Sequence, residues 1–239
     1  MIAEQKTPRP RHELKYQLDN LQYQILRKKL AIVLTSDPHA GPAGYYHVRS
    51  LYFDDFKNSA LYEKISGVVP RKKYRLRIYN YSDEYIKFER KIKINQYVFK
   101  ESVRLTRKEA DHIIAGNIKF LENSKNSLLR SFYLESYRDL LHPVIMVDYQ
   151  REAYVHPLGN IRITFDTNLH TNQGSANFFD PNAFTIRVPE VKDVILEVKY
   201  DFALPHHIQG LFPKTIQPAL AIGKFAVCRT SKPLPDNFS

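Results

Sequence analysis

The chain has 239 residues, 43% hydrophobic and 26% charged, with 8 Gly and 14 Pro, which excludes a disordered or collagen-like chain and is enough to bury a substantial core in one globular domain. Its formal net charge is +11, from 36 Lys+Arg against 25 Asp+Glu, which favours an anionic partner such as nucleic acid, an acidic membrane surface or phosphates. Cys228 is the only cysteine, so an internal disulfide and a cysteine-based zinc site are both excluded.

In chain order, residues 1–11 are polar and lack an apolar signal core, and no segment approaches the roughly 20 apolar residues of a bilayer-spanning helix. A cytoplasmic protein is expected. Residues 11–16 alternate, with Arg11, Glu13 and Lys15 on one face. Asp19 can cap a helix running to Leu34, with Leu21, Ile25, Leu26 and Leu30 at helical spacing. Residues 45–53 are aromatic and β-branched and read as a strand. Over 72–79, Lys73, Arg75 and Arg77 oppose Tyr74, Leu76 and Ile78. Over 85–94, Lys87, Glu89, Lys91 and Lys93 oppose Ile86, Phe88, Ile92 and Ile94.

A further strand is expected over 97–105. Thr106 and Glu109 make a capping box for a short helix ending at Gly116-Asn117. A longer helix over 127–141 stops at Pro143. Strands follow over 144–155, 160–166 and 194–200, with a polar loop at 171–184 between the last two. A short helix over 205–212 and a final one over 219–229 complete the chain. No repeat or linker divides it, so it is read as one domain with tails at 1–10 and 231–239.

A charged strand face is ordinarily a solvated face. Here basic residues recur in one alternation phase on several strands: Lys73/Arg75/Arg77, Lys87/Lys91/Lys93, Lys100/Arg104, Arg162 with Asp166, and Glu197/Lys199. If the sheet closes, these faces can line a positively charged interior, with the apolar faces outward under helices. The expected class is therefore α+β, mainly β: a closed antiparallel β-barrel, or tunnel, with helices packed outside. Like charges facing one another are costly without a bound anion, so such an interior points to a functional site.

Six segments carry a resemblance: Glu13-Leu14-Lys15-Tyr16, Ser50 to Asp54, Tyr74 to Tyr79, Phe88 to Lys91, Arg162 to Leu169, and Leu196 to Tyr200. In this order, from about Arg11 to Arg229, they resemble the VTC domain, the polyphosphate polymerase domain of the triphosphate tunnel metalloenzymes. The resemblance implies an antiparallel β-tunnel that transfers the ATP γ-phosphate to polyphosphate with a divalent metal, Mn or Mg. It implies that Lys15, Arg75, Arg77, Lys91, Arg151 and Arg162 bind phosphates and that Glu197 holds the metal. Lys224, in Ile222-Gly223-Lys224-Phe225, resembles a further tunnel lysine, with Gly223 where the family commonly has Ser. Family analogy also implies a membrane-protein partner. The hydrolytic branch of the superfamily opens with Glu-x-Glu-x-Lys. Here Arg11 stands at the first Glu, which removes one metal carboxylate and resembles the polymerase branch.

Arg suits phosphate through its bidentate fork and Lys through its point charge. Arg11, Ser50, Tyr52, Lys73, Lys87, Lys100, Arg104 and Lys199 are further candidates for substrate contact. Glu197 lies on a strand that is otherwise apolar up to Val198, and a buried carboxylate there needs a metal or a cationic partner such as Lys199. Glu13 is a second metal candidate. Glu13 and Glu89 can equally orient Lys15 and Lys91. The nine His show no metal-binding spacing, and neither a phosphate-binding P-loop nor a dinucleotide glycine fingerprint is present. A tunnel triphosphatase or nucleotidyl cyclase, and a polyphosphate or inositol-polyphosphate sensor, remain alternatives. Nucleic-acid binding would place the basic and aromatic residues on one exposed surface, and is not expected.

Overall fold

The computed structural model describes residues 12–95, 97–173, 177–189, 194–213 and 223–231; Arg11 and residues 219–222 of the expected last helix lie outside them. The strands are β1 His12–Leu18, β2 Thr35–Ser36, β3 Tyr46–Asp54, β4 Arg71–Tyr79, β5 Ser82–Ile94, β6 Tyr97–Leu105, β7 His142–His156, β8 Ile161–Asn172, β9 Ile186–Arg187 and β10 Val194–Tyr200. The α-helices are α1 Asn20–Val33, α2 Ser59–Ile65, α3 Arg107–Ile114, α4 Ser127–Asp139, α5 His206–Gln209 and α6 Lys224–Thr230. Among the described residues no helix is long and apolar enough to cross a membrane.

Ten strands form one antiparallel sheet in the order β1-β10-β8-β7-β3-β4-β5-β6, with β2 pairing β7 and β9 pairing β8. Local chemistry sets the joints. Asp19 and Gln22 cap α1 reciprocally, and Thr106 and Glu109 do the same for α3. The β4–β5 hairpin turns on Asn80 and Tyr81, both at positive φ, the geometry that matches strand twist in a two-residue turn. Helix α2, not foreseen from the sequence, starts where buried Asp54 at the end of β3 accepts hydrogen bonds from the amides of Ala60 and Leu61.

Two expectations about the barrel are corrected. The sheet curls strongly but does not close, because among the described residues β1 and β6 have no strand partner on their outer edges. Nor do all helices pack outside. The outer faces do bury apolar residues: Leu76, Ile86 and Phe88 pack with Ile113 of α3 and Phe132 of α4, while Leu196 and Phe165 pack with Leu26 and Leu30 of α1. The inner faces of β3 and β7, however, present Val48, Tyr52, Val147 and Tyr149 to Leu61 of α2 and Phe225 and Cys228 of α6. These two helices fill part of the concave side. Within α1, Leu26 and Leu30 reach the core, whereas Leu21 and Ile25 are exposed, because this helix is apolar on more than one face. Helix α4 ends at Asp139, with Leu140 left-handed at its C-cap. Thr171 and Asn172, expected in a loop, extend β8.

Candidate functional site

Register places the charged residues on the concave face. Lys15 is opposite Glu197, Glu13 opposite Lys199, Lys199 opposite Arg162, and Arg151 opposite Asp166. Further round the curl, Ser50 pairs with Arg77, Tyr52 with Arg75, Arg75 with Glu89, and Lys73 with Lys91.

One half of the site is a continuous ionic network. The Lys15 ammonium lies 2.9 Å from Glu13 Oε1 and 3.4 Å from Glu197 Oε1. Lys199 donates to Glu197 Oε2 at 2.7 Å, and Arg151 Nη2 lies 3.8 Å from the same oxygen. Arg151 also grips Asp166 with two bonds of 2.6 and 2.7 Å, and Lys224 at the start of α6 pairs with Asp166 as well. Glu197 is 6% exposed and Asp166 3%. Burial opposes ionisation of Glu197, but Lys199, Lys15 and Arg151 outweigh it and hold the carboxyl well below its ordinary range. Burial likewise works against the Lys15 charge, and Glu197 and Glu13 overturn it, raising the ammonium pKa.

The other half, on β3, β4 and β5, is neutralised less completely. Arg75 donates to Glu89 Oε2 at 2.6 Å and to the Tyr52 hydroxyl at 3.0 Å, and Lys100 pairs with the other Glu89 oxygen. Arg77 is 7% exposed and, among the described residues, donates to neutral oxygens, Ser50 Oγ at 3.0 Å and the Tyr149 hydroxyl at 3.3 Å. Lys73 rests on the Phe225 and Tyr52 rings. Among the described residues neither Arg77 nor Lys73 makes an ion pair with a carboxylate.

The structure thus brings together Lys15, Arg75, Arg77, Lys91, Arg151, Lys224, Ser50, Tyr52, Lys73, Lys199, Glu13 and Glu197 on the concave face. Arg162 points the same way, but Asp37 and the Tyr46 hydroxyl hold it, apart from Arg75 and Arg77. Lys100 reaches in from the open edge. Lys87 lies over the Tyr79 and Tyr85 rings. Arg104 departs from expectation: it donates to the Glu84 carbonyl and stacks on Tyr85 instead of joining the cluster. Glu89 serves Arg75 and Lys100, not Lys91, because cross-strand register decides which neighbour an inward carboxylate meets.

Sequence reasoning missed three contributors. Tyr46 and Tyr149 orient Arg162 and Arg77 through their hydroxyls, and the alternating aromatic positions of β3 and β7 were the available signal. Lys64 enters from α2, where its charge is disfavoured by burial and by Arg71, Lys15, Lys93 and Lys91.

Among the described residues no group of three or more potential metal ligands occurs. Glu13 and Glu197 nevertheless converge on a single cationic centre, the Lys15 ammonium. Two carboxylates suit Mg or Mn of the kind that takes its remaining ligands from water and substrate phosphates.

A comparison with curated protein sequences gave no match. Among solved structures, a candidate adenylyl cyclase from Hippeastrum, reported to have a dominant triphosphatase activity, is 15% identical with a TM-score of 0.55 over 93% of this chain and 97% of that one. A candidate adenylate cyclase from Bacillus halodurans is 13% identical with a TM-score of 0.47, covering 84% of each chain. A protein from Pyrococcus horikoshii is 11% identical with a TM-score of 0.43, over 87% and 93%. The Hippeastrum likeness shows the fold, a strongly curled antiparallel sheet. The VTC domain family model matches residues 10–231, nearly the whole chain and every strand of the concave face, and the chain belongs to the VTC domain family.

Proposed function

We propose that this protein is a metal-dependent polyphosphate polymerase: a terminal oxygen of a polyphosphate chain attacks the γ-phosphorus of ATP, the bond to the bridging β–γ oxygen breaks, and ADP leaves. The observation that carries a phosphate substrate is Arg77, a nearly buried guanidinium whose hydrogen bonds among the described residues go to neutral oxygens, beside Lys73 and Arg75. Burying a cation without a paired counter-ion costs several kcal/mol, and Glu89, the carboxylate whose charge Arg77 supports, is already engaged by Arg75 and Lys100, which supports a site organised for an anion from outside the chain. Membership of the VTC domain family supports polymerisation as the reaction.

Phosphoryl transfer asks the protein for positioning and for charge neutralisation rather than covalent chemistry. Arg75 and Arg77 offer guanidinium forks already oriented by Glu89, Tyr52, Ser50 and Tyr149. Lys15, Lys91, Lys199 and Lys224 offer point charges held in place by Glu13, Glu197 and Asp166. The carboxylates of Glu197 and Glu13 would hold a divalent metal, which supplies neutralisation of charge on the phosphate oxygens. Incubating the purified protein with ATP and Mn should yield polyphosphate that resolves as a ladder on a gel. Release of inorganic phosphate from tripolyphosphate with no polymer formed would instead favour a triphosphatase, the activity reported for the Hippeastrum structure.

A further inference from the structure

Every inward lysine of the ionic network has a carboxylate: Lys15 has Glu13 and Glu197, Lys91 has Glu13, Lys199 has Glu197, and Lys224 has Asp166. Lys73 is the exception at the centre of the site. Its ammonium lies 5.3 Å from the Phe225 ring centroid and 5.9 Å from that of Tyr52. Among the described residues the groups that face it are Lys91 opposite it on β5, Arg75 on its own strand, Lys15 on β1, Lys64 on α2, Tyr52 on β3 and Phe225 on α6, cationic or aromatic in each case. The nearest acids are engaged elsewhere, Glu13 by Lys15 and Lys91, and Glu89 by Arg75 and Lys100. Ring faces attract a cation weakly compared with an ion pair, and four neighbouring cations repel it.

Resting on the reading of this face as a phosphate site, we infer that Lys73 stands without its proton in the empty tunnel and takes one up from solvent when a phosphate polyanion is seated, so that substrate binding is coupled to proton uptake. The anion reverses the balance at that position, because its negative oxygens bind the ammonium directly and so offset both the lost water and the repulsion of Lys91, Lys15, Arg75 and Lys64. The direction of the lysine's pKa in the empty site agrees: burial first, then Lys91, Lys15, Arg75 and Lys64 push it well below the ordinary lysine value. Lys73 would thereby let the concave face avoid one half-buried, unpaired charge and acquire it only with its counter-ion.

Isothermal titration with tripolyphosphate at pH 8, in two buffers of different ionisation enthalpy, measures the protons exchanged. The full-length protein is compared with its Lys73→Met and Lys73→Arg variants, so that protons gained or lost by tripolyphosphate itself cancel in the difference. Wild type should take up about one proton more than either variant. Lys73→Met should bind at least ~10-fold more weakly, whereas Lys73→Arg, charged at every pH used, should bind without that uptake. Equal proton exchange in all three proteins, with wild-type binding intact, overturns the inference and leaves the phosphate site standing. Absence of any tripolyphosphate binding by wild type overturns the phosphate reading itself.

Discussion

Lys91 on β5 donates to Glu13 on β1 at 3.2 Å, although these strands lie near opposite ends of the hydrogen-bonded path. The curl of the sheet brings them together, and side chains span a seam that the backbone leaves unpaired. Removing this contact should loosen β1 selectively. Glu13→Ala is expected to accelerate amide exchange across His12–Leu18 by about fivefold, equivalent to about 1 kcal/mol, while β7 keeps its protection. The Glu13 carboxyl is held below its ordinary value of 4.5: burial works against this, and Lys15 and Lys91 prevail over burial and Glu197. The stabilisation is therefore fully present above that pH and is lost as pH falls below it. Exchange of β1 that is indifferent to both the substitution and acid would show that the contact closes nothing.

Arg75 and Arg77 are neighbours on one face, yet their removal should have unequal consequences for folding. Arg75→Met leaves buried Glu89 with Lys100 as its one remaining ion pair among the described residues and should destabilise the protein by about 1–3 kcal/mol in urea titration. Arg77→Met removes a buried cation that makes no ion pair among the described residues, although its charge helps keep Glu89 ionised, and should cost less stability than Arg75→Met. Both variants should bind tripolyphosphate more weakly, Arg77→Met by ~100-fold, as expected for loss of a charged, desolvated contact. A large fall in stability for Arg77→Met would contradict the view that its counter-ion is the substrate.

Glu197→Gln keeps shape and removes charge. Tripolyphosphate affinity should be unchanged or raised, since a negative group has left an anion site. Turnover with ATP and Mn should fall by about 100-fold or more if this carboxylate holds the metal. If Glu197 serves only to neutralise Lys199 and Lys15, the variant will instead lose folding stability and keep the wild-type dependence on Mn.

Lys100, half exposed at the open edge, has its ammonium pKa pulled down to about 8, chiefly by desolvation and then by Arg75 and Arg77, with Glu89 opposing. It is charged below that pH and neutral above it, so anion affinity should fall as pH rises through 8. Sulfate is a suitable ligand because its own charge is constant from pH 6 to pH 10. Lys100→Met should flatten the part of the pH dependence centred near 8, and titration of wild type and variant by calorimetry checks this.

Much of this site was legible because strands repeat with a period of two. Once Arg75 and Arg77 alternate with Tyr74, Leu76 and Ile78, their common face follows without knowledge of the partners. The partners themselves were not legible. That Glu89 meets Arg75 and Lys100, or that Arg162 meets Asp37 from a distant segment, depends on register and on loops. Closure of the sheet was misjudged for a related reason, since alternation says which face a residue occupies but not whether the first and last strands pair. Helix α2 escaped notice because its opening amides are capped by Asp54 from the preceding strand rather than by its own N-cap residue, and Lys64 went with it.

The pairing of β1 with β10 also governs when the site can exist. Residues 12–18 stay without one wall of their pocket until residues 194–200 have been made, and Asp166 waits for Lys224, later still in the sequence. Loop closure over such separations slows folding. A growing chain would therefore hold Glu13 and Lys15 together but lack their partners until residues 197 and 224 had been made, so the ionic network of the concave face assembles only after β10 and α6 exist.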